Sequence, residues 1–122
     1  MNTKYKYKSR EKFIIAKTAR KTIRYIEKNT MNFPKEYFVL RNRIIDTCYS
    51  VLESIYRGNI FDDVNDKKNA VVGIQMLNFY LEEALRKDIL TNKKFINYGK
   101  YLTELDLMIR SWINNEKSKE SI

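Results

Sequence analysis

Helix-breaking residues are scarce in this chain of 122 residues, which contains only three glycines and one proline. Glycine and proline interrupt helices more strongly than other residues, so their scarcity permits long continuous helices. Hydrophobic residues form 43% of the sequence, enough for one core, and they recur every three or four positions rather than every second position. A half-buried β-strand would need strict alternation, and the sequence therefore predicts an all-α domain.

Four segments carry apolar residues at helical spacing, and they predict helices over residues 9–28, 34–57, 66–87 and 92–113. Amphipathic helices of similar length joined by short loops bury their apolar faces well in an up-down-up-down antiparallel four-helix bundle. We predict such a bundle over residues 9–115. Residues 1–8 carry no apolar period and predict a mobile basic arm, whereas residues 116–122 predict a frayed tail.

Residues typical of helix ends support these boundaries. Ser9 and Thr91 are suitable N-caps for the first and fourth helices. Pro34 suits the first turn of the second helix, and Gly58 suits the position just after its end. Gly73 lies inside the third helix, where glycine costs about 1 kcal/mol relative to alanine. We interpret Gly73 as a point at which a neighbouring helix approaches closely.

The positive charge is concentrated at the start of the chain. The formal net charge is +9, and residues 1–28, with ten basic and two acidic residues, contribute +8 of it. Four cations of the first predicted helix follow one another at intervals of four, three and four residues, and we call this set the cationic ridge: Lys17, Lys21, Arg24 and Lys28. This spacing places them on one face, opposite the apolar stripe.

A charge distribution this uneven attracts a polyanion by steering and by counterion release. A face that served only solubility would alternate lysine with glutamate, and the cationic ridge does not. We therefore predict binding of RNA or DNA with little sequence preference, by the cationic ridge together with Lys8, Arg10 and Arg20. One alternative remains open, namely an acidic protein partner without a nucleic-acid ligand. Association of the first helix with a membrane surface is a weaker alternative, because its apolar face lacks tryptophan and leucine and is needed by the bundle core.

Tyrosines are abundant, and two groups of them bear on function. In the arm, Tyr5 and Tyr7 alternate with lysines, which could combine phosphate contacts with base stacking, although a terminus without function fits equally well. A second group lies beside the main apolar stripes and is compatible with a subunit interface or with an ordinary core boundary: Tyr25, Tyr49, Tyr56, Tyr80 and Tyr101.

The usual residues of catalytic and metal sites are missing. The chain has no histidine and one cysteine, Cys48, which rules out a zinc site and an intramolecular disulfide. Cys48 falls on the apolar stripe of the second helix and predicts a buried, inert thiol. The acidic residues 62–66 lack the glycine and closing glutamate of an EF-hand, and predict a helix-capping connector. We expect a non-enzymatic protein without metal or cofactor.

Membrane and export signals are also missing from the sequence. No apolar run approaches the roughly 20 residues that cross a bilayer, and the N-terminus lacks the apolar segment of a signal peptide. A single cysteine suits a reducing compartment. We therefore expect a cytoplasmic protein that does not associate with membranes.

Two segments, residues 33–44 and a second that begins at residues 90–98 and ends near residues 109–113, resemble a known family. Residues 33–44 read FPKEYFVLRNRI, residues 90–98 read LTNKKFINY, and residues 109–113 read IRSWI. These segments resemble the accessory variability determinant (Avd) proteins of diversity-generating retroelements. They also resemble the wider four-helix-bundle family that includes proteins encoded in intervening sequences of bacterial 23S ribosomal RNA genes. The resemblance covers about residues 10–115.

The resemblance implies an up-down four-helix bundle that assembles as a homopentamer and has a basic, nucleic-acid-binding surface. It further implies a partnership with the retroelement reverse transcriptase in mutagenic retrohoming. Lys35 and Arg43 match recurring basic positions of the family and join the candidate binding residues on that ground. The wider family leaves open a protein-interaction module of the intervening-sequence type that has no nucleic-acid ligand.

Overall fold

The computed structural model describes residues 10–120, with side chains for residues 10–115. Within that part of the chain there are four α-helices and no strands: α1 (Ile14–Thr30), α2 (Phe38–Ile60), α3 (Val64–Arg86) and α4 (Asn92–Glu120), with a 3-10 turn at Lys35–Tyr37. The predicted all-α class is confirmed. The predicted basic arm, including Lys8, lies outside the described residues.

Contacts at both ends of the helices show how they run. The Phe13 ring, just before α1, meets Trp112 near the far end of α4 at a centroid distance of 5.3 Å. Tyr25, late in α1, meets Tyr98, early in α4, also at 5.3 Å. These two helices are therefore antiparallel, and each helix packs on its neighbours in the order α1–α2–α3–α4–α1. The short connections between consecutive helices complete an up-down-up-down four-helix bundle.

One stripe of each helix is buried in a common core, as the apolar spacing predicts. The stripes are Ala16, Ala19, Ile23 and Ile26 in α1; Ile44, Cys48, Val51 and Ile55 in α2; Ala70, Ile74, Leu77 and Leu81 in α3; and Leu102, Leu105 and Ile109 in α4. Burial raises the pKa of the Cys48 thiol to about 12, so the thiolate is not formed at neutral pH. The predicted burial of Cys48 is confirmed.

The helices begin and end at positions that differ from those predicted. α1 begins at Ile14 rather than residue 9, because Phe13 is extended and its N–H donates to the Glu11 carboxylate at 3.1 Å. Pro34 is also extended and precedes the 3-10 turn, so α2 begins at Phe38 rather than residue 34. α4 continues to Glu120, past residue 113 and into the segment predicted to fray.

Gly58 does not end α2 as predicted. The helix continues to Ile60, and the left-handed residue of the turn is Asp62, with φ of 51°. Gly58 is buried inside the helix, where a Cβ would lie 2.9 Å from Lys67 Cγ and 3.2 Å from Trp112 Cη2. The missing side chain therefore makes room for close packing rather than for a helix stop.

The predicted cap at Thr91 is confirmed, and the acidic connector caps α3, which begins at Val64 rather than at the predicted residue 66. The Asp63 carboxylate accepts the Asn65 N–H at 2.9 Å at the start of α3, so the acidic connector does cap a helix. The Thr91 hydroxyl accepts the Lys94 N–H at 3.2 Å at the start of α4. Each cap satisfies a backbone donor that the first turn of a helix leaves unpaired.

Tyr98 places a hydroxyl in the core without a hydrogen-bond partner among residues 10–115. The side chain is fully buried, and burial raises the pKa of the hydroxyl well above its usual value. An unpaired buried polar group costs about 1–3 kcal/mol. We therefore expect Tyr98→Phe, which keeps the ring against Tyr25, to raise the free energy of unfolding by about 1 kcal/mol in urea titrations. A loss of stability would contradict this expectation.

Candidate nucleic-acid interface

The cationic ridge is exposed along α1. Its four side chains all face solvent, opposite the buried stripe of the same helix. From Lys17 to Lys28 it extends roughly 16 Å, at about 1.5 Å per helical residue. That is close to the axial rise of five nucleotides of one duplex strand, at about 3.4 Å each. A shallow groove of about 430 Å³ follows this face, lined by Lys17, Thr18, Arg20, Lys21 and Arg24.

No ion pair within residues 10–115 neutralises the cationic ridge. The two acids of the early chain are engaged elsewhere, since Glu27 accepts the Tyr49 hydroxyl of α2 at 2.5 Å and Glu11 contacts Arg20. The nearest aromatic contact of the ridge is Lys21, whose Nζ lies 6.0 Å from the Tyr101 ring centroid. Among residues 10–115, the four cations of the ridge are therefore exposed and none of them forms an ion pair.

Arg20 differs from the other predicted cations of α1. Its guanidinium lies 3.8 Å from the Glu11 carboxylate, and the side chain is largely covered. Glu11 also accepts the Tyr56 hydroxyl of α2. The hydrogen bond from Tyr56 is the main cause that lowers the pKa of Glu11, and burial together with this bond raises the pKa of Tyr56. Arg20 thus helps to join the start of α1 to α2.

Three other predicted cations are exposed but lie apart from the groove of α1. Arg10 precedes the helix, Lys35 lies in the 3-10 turn, and Arg43 lies in the second turn of α2. By contrast Arg41, which was not predicted as a binding residue, donates to the Thr30 carbonyl at 3.2 Å and caps the end of α1. The structure therefore places the cationic ridge in one continuous surface and does not join Lys35 or Arg43 to its groove.

A groove between α1 and α4 was not predicted as a site. It has a volume of about 290 Å³ and is lined by Tyr25, Asn97, Lys100, Tyr101 and Glu104. The two tyrosine rings pack at a centroid distance of 4.7 Å and an angle of 40°. Both rings are half-buried, as a core boundary requires. The spacing of residues within each helix predicts that each tyrosine lies beside the apolar stripe of its own helix. It does not predict that the two rings contact each other across α1 and α4.

Lys67 is a buried cation that spacing could not identify. It is fully inaccessible to solvent, with its Nζ 3.4 Å from Asp62 Oδ1 and 4.2 Å from the Trp112 ring centroid. The cation–π contact and the ion pair replace part of the lost hydration. Gly58 leaves room for its stem. Because it is covered on every side, Lys67 joins α2, α3 and α4 rather than presenting charge to a ligand.

Comparisons with known proteins add no assignment. No protein-family model matches the chain, and no curated protein sequence matches it significantly. Among the described residues, no helix is both long and apolar enough to span a bilayer.

Proposed function

We propose that the protein is a non-enzymatic, cytoplasmic accessory factor that binds RNA or DNA through the cationic ridge with little sequence preference. The observation that carries this proposal is the exposure of Lys17, Lys21, Arg24 and Lys28 on one face without acidic partners among residues 10–115. Flexible lysine-rich contacts to phosphates confer affinity but do not read base identity. A ridge of this kind therefore suits a protein that holds a polynucleotide for another factor.

Salt dependence tests the proposal directly. If the four cations of the ridge each displace a counterion, the logarithm of the association constant should fall against the logarithm of salt concentration with a slope of about −3 to −4. Fluorescence anisotropy with labelled RNA and DNA of mixed sequence measures that slope. No binding at low salt, or an affinity that salt does not change, would contradict the proposal.

The partner enzyme that we propose is a retroelement reverse transcriptase, in mutagenic retrohoming. This part rests on the resemblance of residues 33–44, 90–98 and 109–113 to Avd proteins. A reverse-transcriptase gene and an imperfect repeat beside this gene would support it. Co-purification of the enzyme with the protein after nuclease treatment would separate a protein contact from a shared nucleic-acid ligand.

A second candidate function is a protein-interaction module without a nucleic-acid ligand, and an apolar stripe on the outer face of α3 offers it a contact surface. Val72, Met76 and Phe79 follow helical spacing on that face and are 60%, 40% and 49% exposed. We propose that this stripe forms the contact between copies of the chain, and the resemblance implies five copies. Light scattering measures the assembly, and gel shifts with RNA and DNA separate the two functions.

A further inference from the structure

The groove between α1 and α4 that Tyr25 and Tyr101 line, which we call the tyrosine groove, lies directly beside the cationic ridge. Lys21 belongs to the ridge, and its ammonium group reaches over the Tyr101 ring that lines the groove. The distance of 6.0 Å is at the outer limit of a cation–π contact, so an exposed lysine can leave it at little cost. Positive charge and a half-buried aromatic ring therefore share one surface.

We propose that the ligand of the cationic ridge is a single-stranded polynucleotide, one base of which stacks on Tyr101 in this groove. The inference rests on the proposed function and specifies its ligand. A strand whose phosphates follow α1 would face α4 with its bases, where Tyr101 offers a π-face and the Asn97 amide offers both a donor and an acceptor. Stacking of this kind tolerates any base, which agrees with low sequence preference.

The charges on the two sides of the groove differ, and the difference favours phosphates on the α1 side. Glu104 lines the α4 side of the groove, and Lys100 lies one helical turn before it. These two opposite charges offset each other, whereas the α1 side carries the four cations of the ridge without an ion pair among residues 10–115, so the phosphates of the strand are drawn to the α1 side. The bases of a duplex are stacked inside and cannot reach Tyr101, so duplex binding lacks this contact.

Affinity for strands of one mixed sequence tests the inference, with single-stranded RNA, single-stranded DNA and duplex DNA measured at equal salt. Stacking on an aromatic ring needs no 2′-hydroxyl, so both single strands should bind more tightly than the duplex. Tyr101→Ala should weaken single-strand binding about tenfold and leave duplex binding unchanged. Tyr101→Phe, which keeps the ring, should bind as the unchanged protein does.

Two controls separate stacking from damage to the fold. Tyr101→Leu fills the space beside Tyr25 but cannot stack, and it should lose as much single-strand affinity as Tyr101→Ala. Phe61→Ala removes an exposed ring from the α2–α3 turn and should change nothing. Equal affinity for single strands and duplex, or full affinity in Tyr101→Leu, overturns this inference but does not contradict the proposal that the ridge binds nucleic acid. Absence of all binding by the unchanged protein overturns the proposed function as well.

Discussion

Reversing Lys17, Lys21 and Arg24 to glutamate together should weaken nucleic-acid binding roughly 100-fold or more at moderate salt. Each change removes a phosphate contact and adds a repulsion between the new carboxylate and the phosphates. Of the four cations of the ridge, Lys28 alone then remains to attract the ligand. The three side chains are exposed, so helicity and the unfolding midpoint should change little. Anisotropy titrations measure the affinity, and far-ultraviolet circular dichroism measures the helicity.

A matched variant distinguishes local charge from net charge. Lys68→Glu, Arg86→Glu and Lys93→Glu change the net charge equally, but these residues are exposed on α3 and α4. We expect this variant to lose only the small affinity that follows from a lower net charge. Unchanged binding after reversal of the ridge, or equal losses in both variants, would exclude the ridge as the binding surface.

Gly73→Ala should destabilise the bundle by about 1–3 kcal/mol despite the better helix propensity of alanine. A Cβ at position 73 would lie 2.5 Å from Val51 Cγ2, a distance that packed side chains do not tolerate. Val51 is buried and β-branched, so it cannot easily rotate away, and α2 and α3 would have to separate. Urea unfolding followed by circular dichroism measures the loss.

Two further variants test whether the clash with Val51 causes the loss of stability in Gly73→Ala. Gly99→Ala adds the same methyl group to α4 where no side chain or neighbouring helix lies within 4 Å of the new Cβ, and it should stabilise the protein by about 0.5–1 kcal/mol. Val51→Ala removes the clashing Cγ2 methyl group, so the double variant with Gly73→Ala should be more stable than the sum of the single effects predicts. Additive losses would show that the close approach of α2 and α3 is not the cause.

Much of the candidate interface could be predicted because it lies on one helix. The spacing of Lys17, Lys21 and Arg24 determines their common face, whatever α1 packs against. Their lack of acidic partners among residues 10–115 was not predictable, since Glu11 and Glu27 are close in sequence. Only the positions of Tyr49 and Tyr56 on α2 show where those two carboxylates are directed.

The tyrosine groove and the buried lysine required the tertiary structure. Tyr25 and Tyr101 each lie beside an apolar stripe, which is compatible with several surroundings. Their pairing depends on the rotation and offset of α1 against α4. Lys67 would be assigned to solvent by its residue type, and it is buried only because Gly58 and Trp112 come from two other helices to surround it.

The sequence by itself determined the properties that arise within one helix: the all-α class, the core stripes, the cap at Thr91 and the exposed cationic ridge. These depend on hydrogen bonds and side-chain spacing over three to four residues, which the order of residues specifies directly. The tertiary structure alone decided the role of Gly58 as a packing position, the burial of Lys67 and the tyrosine groove. Each of these depends on how separate helices are rotated and offset, which spacing along one helix does not specify.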